Sequence, residues 1–227
     1  FAHGPWQALV GERLLAALPH LLAGRFLEET EHGYAFQHDL TREYVYGSIP
    51  PERRRDVHRR AGDVLAREHA EPDTLAWHFE QGEAWPEAVR YSREAGDRAA
   101  SVFAYDAALA HYQRAQKFLN HLNEPEAERM ALLAGQQRVY RATVREREWR
   151  ATVDQLEQAA LAAEDRVVLL EALQARISLH LLSADWKAMQ SAAERAIALA
   201  QEEGNLAAEA RTRLELGWHL AHMLGQA

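Results

Sequence analysis

Apolar residues recur every three or four positions along most of this chain, the spacing of amphipathic helices. Over residues 6–23 the stripe is Leu9, Val10, Leu14, Leu15, Leu18, Leu21 and Leu22, with Gly24 as the expected stop. The pattern then changes. Residues 26–27 and 34–36 are short β-like runs around a polar stretch, which predicts one hairpin with Tyr34, Phe36 and His38 on a shared strand face. Asp39 is placed to cap a helix carrying Leu40, Tyr44 and Val45 on one side. Ile49, Pro50 and Pro51 end that helix, and Pro51 suits the first turn of another, whose predicted stripe is Val57, Ala61, Val64 and Leu65.

From residue 71 onward the pattern is helical throughout, and it repeats. DWKAMQSAAERAIAL (185–199) aligns with EWRATVDQLEQAALA (148–162) at a spacing of 37, with Trp186 on Trp149 and Ala196 on Ala159. A longer helix precedes each of these segments, and Tyr140, Ile177 and Gly217 recur at intervals of 37 and 40. EAVRYSREA (87–95) and AALAHYQRA (107–115) carry a common ending 20 residues apart, as though one helix closes a unit and opens the next. A two-helix unit of about 34–40 residues cannot bury its apolar face alone, so neighbours must stack. Small alanines let helices approach, and Trp85, Tyr105, Trp149 and Trp186 are expected to fill gaps between hairpins.

Composition narrows the class. The chain has 227 residues, no Cys and no apolar run near the ~20 residues that cross a bilayer, so a reducing, cytoplasmic setting is expected. Net charge is −8, of which only −1 falls in residues 1–70; the acidic remainder argues against a nucleic-acid surface. The chain opens on Phe1 and closes on Leu224, Gly225, Gln226 and Ala227, which reads as an excised piece of a longer protein.

Catalytic signatures do not occur. There is no GxxxxGK[ST] phosphate loop, GxSxG elbow, HExxH helix or GxGxxG turn. His219 and His222 share a helix face without a third ligand nearby, so no metal site is expected. Residues 52–60 (ERRRDVHRR) hold five Arg against two acids, with Arg55, Arg59 and Arg60 facing mostly outward. That cluster supplies the alternative reading, a DNA-binding module with a helical dimerisation domain.

Two resemblances give these elements a context. QGEAWPEAVRYSREA (81–95) is similar to the turn and second helix of a tetratricopeptide repeat, and LELGWHLAHMLGQ (214–226) resembles a first helix, with Leu216 and Gly217 in the usual places. FQHDLTREYVYGSIPPERRRDVHRRAGDVLA (36–66) resembles the winged-helix segment of STAND-class signal-transduction ATPases, among them large LuxR-type and antibiotic-pathway regulators. Together they imply a mostly α fold: a winged-helix end with one β-hairpin (1–70), then an α-α superhelix of tetratricopeptide-like repeats (71–227). Within the second match, His38-Asp39-Leu40 looks like the MHD motif, with Gln37 where Met would stand. The resemblance implies that His38 and Asp39 sense ADP or ATP with Mg on an ATPase core outside this chain, the chain itself carrying no cofactor and no enzyme activity. It also implies that an effector or partner protein binds a concave face, for which Arg141, Arg145, Gln174, Ser178 and Trp218 are the candidate residues, and that activation involves oligomers.

Overall fold

The computed structural model describes residues 12–31, 33–123 and 125–224, among which there are eleven helices and one two-stranded sheet. The part of the first expected helix before residue 12 lies outside the described residues. By compactness the chain divides into residues 1–95 with 120–122, and residues 96–119 with 123–227.

In the first unit, α1 (Glu12–Ala23) ends at the residue before Gly24, as expected. The left-handed position belongs to Arg25 (φ 56°), while Gly24 makes room, since a Cβ there would lie 2.9 Å from the Phe26 ring. β1 (Leu27–Thr30) and β2 (Gly33–Phe36) pair antiparallel with Leu27 opposite Phe36. The hairpin therefore takes in Glu28 and Glu29, which a strand exposed on both sides tolerates. It also stops at Phe36, so His38 is not on the strand face expected for it.

α2 (Asp39–Ser48) and α3 (Pro51–Arg67) are separated by the expected Ile49–Pro50 break. The buried stripe of α3 is His58, Ala61 and Gly62 instead of one starting at Val57, which is 44% exposed. Gly62 is needed where α3 meets α4 (Pro72–Gln81): a Cβ would come within 2.8 Å of the Phe79 ring. Phe79 in turn stacks on Tyr91 of α5 (Trp85–Ser101), rings 5.4 Å apart.

The second unit holds the end of α5 from Gly96, α6 (Tyr105–Leu119) and five further helices. These are α7 (Glu126–Ala142), α8 (Glu146–Ala162), α9 (Arg166–Leu182), α10 (Trp186–Glu202) and α11 (Leu206–Leu224). From α7 to α10 each helix has 17 residues and each new start falls 20 residues after the last. One turn produces this regularity. Val144, Glu164, Ala184 and Gly204 adopt positive φ, 54° to 66°, directly after their helices. In each case the next residue's N–H reaches back to the carbonyl five positions earlier, as Arg145 does to Tyr140 at 3.0 Å and Asn205 to Ala200 at 2.8 Å. This paired-bond helix ending satisfies the last carbonyls and reverses the chain within three residues. Asp165, Asp185 and Asn205 then cap the following helix with their side chains.

The hairpin repeat is thus 40 residues, not 37. Buried Trp149 is the counterpart of buried Met189, and Val153, Leu156 and Ala160 correspond to Ala193, Ala196 and Ala200. Trp186 is instead the half-buried first residue of α10, as Trp85 is of α5 and Tyr105 of α6. The pairs share cores: Leu170, Leu173 and Ile177 of α9 pack with Met189 to Ala200 of α10 and with Ala208 of α11. No helix among the described residues is long and apolar enough to cross a membrane.

Candidate functional site

The 40-residue repeat places Arg138 of α7, Ser178 of α9 and Trp218 of α11 at equivalent positions on successive first helices. Ser178 and Trp218 were expected at a binding face; Arg138 was not. The 37-residue spacing had matched Ser178 with Arg141, which is exposed but one turn further along α7.

Arg138 stands at the mouth of a cavity of about 360 Å³ lined by Asp97, Ser101, Tyr105, Tyr112, Gly135 and Arg138, with aliphatic walls from α5 and α7. Its guanidinium bridges two carboxylates, Asp97 at 3.7 Å and Glu171 of α9 at 3.3 Å. The Tyr112 hydroxyl donates to Asp97 at 2.8 Å and fixes that carboxylate from beneath. On the other side Gln137 donates to Glu171 at 3.3 Å and accepts from the Trp149 indole N–H at 3.2 Å. Polar groups from α5 to α9 are therefore joined in one chain, Tyr112–Asp97–Arg138–Glu171–Gln137–Trp149. Aromatic and aliphatic walls with a few fixed polar groups at the mouth are the features of a small-ligand or side-chain pocket.

The remaining expected residues lie outside the pocket lining, on the α7–α8 turn, α9 and α11. Arg145 donates to Asp106 at 2.8 Å, tying the α7–α8 turn to the start of α6. Ser178 turns its hydroxyl back to the Gln174 carbonyl at 3.3 Å, and both side chains are half-buried. Trp218 is 66% exposed and meets the neighbouring His219 ring edge-on at 4.8 Å. A separate cluster braces the outer helices: Glu157 is nearly buried and receives Arg176 at 2.6 Å and Arg195 at 2.8 Å.

In the first unit His38, not Asp39, is the residue flanking α2. His38 has extended backbone (φ −132°, ψ 129°), and its carbonyl accepts the first helical bonds from Thr41 and Arg42. Asp39 is already helical; its carboxylate makes no cap and lies 3.4 Å from Arg42. Both side chains are exposed, and α2 buries none of its residues: Leu40 and Tyr44 are each 80% exposed. The basic cluster of α3 is largely engaged within the protein. Arg54 lies over the Tyr46 ring, Arg55 pairs with Glu83 at 2.9 Å, and Arg59 donates to the Gly82 carbonyl at 2.6 Å.

No protein-family model matches the chain, and no curated protein matches it. Among the described residues no three His, Cys, Asp or Glu side chains gather as a metal site would require.

Proposed function

We propose that this chain is a non-catalytic sensor and interaction arm of a STAND-class regulator, whose tetratricopeptide-like repeats bind an effector or partner protein. On this reading the winged-helix-like first part couples that binding to ADP or ATP with Mg on an ATPase core elsewhere in a longer protein. The observation that carries the proposal is the alignment of Arg138, Ser178 and Trp218 on successive first helices, the first of them lining a pocket with fixed polar groups. Repeat arrays bind through such rows because each hairpin contributes one equivalent position. The apolar face of α2 adds support from the other end: exposed Leu40 and Tyr44, next to His38, suit a surface that meets another domain.

The DNA-binding alternative is weaker because Arg54, Arg55 and Arg59 already have partners in the protein. The chain by itself should neither hydrolyse ATP nor bind random duplex DNA in a low-salt gel shift. Submicromolar DNA binding abolished by Arg54→Glu with Arg55→Glu would overturn the proposal in favour of that alternative. ATP turnover by the isolated chain would overturn its non-catalytic part.

A further inference from the structure

Three helices of the first unit meet at a polar cluster that the proposed function does not use. His58 of α3 is 6% exposed, and its Nδ1 lies 3.2 Å from Nδ1 of His78 on α4. Its Nε2 lies 3.0 Å from the Tyr46 hydroxyl of α2. Trp77 stands edge-on to both rings, 5.0 Å from His58 and 4.8 Å from His78. We propose that Tyr46, His58 and His78 form an acid-released clasp, in which neutral imidazoles hold α2 and α4 to α3 and protonation of the pair frees α2.

The hydrogen-bond inventory carries this. Between two facing Nδ1 atoms only one proton fits, one ring donating and the other accepting. If His58 donates to His78, its Nε2 accepts from Tyr46; if His78 donates, the His58 Nε2–H gives its proton to the Tyr46 oxygen. Both arrangements are complete with neutral rings. Two imidazolium rings would instead set N–H against N–H, with like charges 3.2 Å apart and no acceptor between them. The surrounding charges add to that penalty. Arg54 on α3 faces the pair from above Tyr46, while Arg55 is paired with Glu83 and Arg59 with the Gly82 carbonyl. α2 depends on this joint, since none of its residues is buried.

Burial first, and then His58 beside it, pushes the His78 pKa from 6.5 down to about 4. Burial and then Arg54 lower that of His58. Groups depressed in the folded state bind more protons when released. The clasp is therefore at full strength above pH 6.5 and weakens as pH falls from there towards about 4.

Amide hydrogen exchange of the whole chain, corrected for intrinsic rates, tests the clasp. Protection over 39–48 should fall roughly tenfold or more between about pH 7 and about pH 4.5, the factor that one unit of pKa displacement implies, with Trp77 fluorescence changing in step. His78→Gln keeps a hydrogen-bonding side chain that cannot titrate, and it should flatten this dependence. Protection that is constant with pH, or that falls equally in His78→Gln, would overturn the proposal. If the variant does not fold, the wild-type imidazole resonances decide: a His78 midpoint near 4 linked to loss of α2 protection supports the clasp, and a midpoint near 6.5 contradicts it.

Discussion

Tyr112 reaches Asp97 at 2.8 Å because the helices on either side of its ring carry glycine where they touch it. A Cβ at Gly96 would lie 2.5 Å from the ring and one at Gly135 2.8 Å from it. The buried phenol thus sets both the approach of α5 to α7 and the position of the carboxylate facing Arg138.

Gly135→Ala should consequently destabilise the protein, although alanine is the better helix former. Overpacking a ring this tightly held costs about 1–3 kcal/mol, more than the gain of about 0.5–1 kcal/mol from helix propensity. Gly217→Ala on α11 supplies the contrast, since a Cβ there meets nothing within 4 Å and only the propensity gain remains. Chemical denaturation of the two variants should move in opposite directions.

The repeated turn stores strain at one position in particular. Val144 is β-branched and held at φ 54°, whereas its counterpart Gly204 meets the same requirement without a side chain. Val144→Gly should stabilise by about 1 kcal/mol, the left-handed penalty for an L-residue less the entropy of the added glycine. Val144 is 64% exposed, so little packing is lost; a lowered denaturation midpoint would show that the turn is not what fixes the repeat.

Trp149 is 3% exposed and bonded through its indole N–H to Gln137. Trp149→Ala should cost about 3–5 kcal/mol in an unfolding titration. Trp186→Ala, at a half-buried helix start, should cost clearly less. Equal losses would restore the equivalence that the 37-residue alignment gave them.

That alignment shows what the sequence carries and what it hides. The helical class, the lone hairpin and the repetition after residue 71 follow from periodicity, because burial of one face is written directly into residue type. Register is harder to read. Sliding a helix by three residues is most of one turn, so apolar stripes still overlap, and the coincidence of two tryptophans outweighed the true spacing. The 40-residue interval was nonetheless present between Ile177 and Gly217, and applying it to Ser178 would have selected Arg138. The start of the α3 stripe was misplaced, at Val57 instead of His58, for another reason: His58 is buried only because Tyr46 and His78 satisfy both its nitrogens, and those partners come from other helices. Gly24 invited the role that Arg25 fills, since nothing in the local sequence shows that the glycine serves the Phe26 ring.

Glu157 of α8 binds two arginines from the two helices of the next hairpin, Arg176 of α9 and Arg195 of α10. Glu157→Gln keeps the shape but removes the charge, and should cost about 1.5–3 kcal/mol, the range of hydrogen bonds to charged groups. The loss should shrink when Arg195, half exposed, is also replaced by Gln, which a double-mutant cycle measures.

The proposed coupling between this chain and a nucleotide-binding core is tested most directly by the ADP that co-purifies with the longer protein, quantified with and without His38→Ala. Loss of most of the bound ADP, with raised basal output and an unchanged fold, is the predicted result. Full ADP retention in the variant would contradict it.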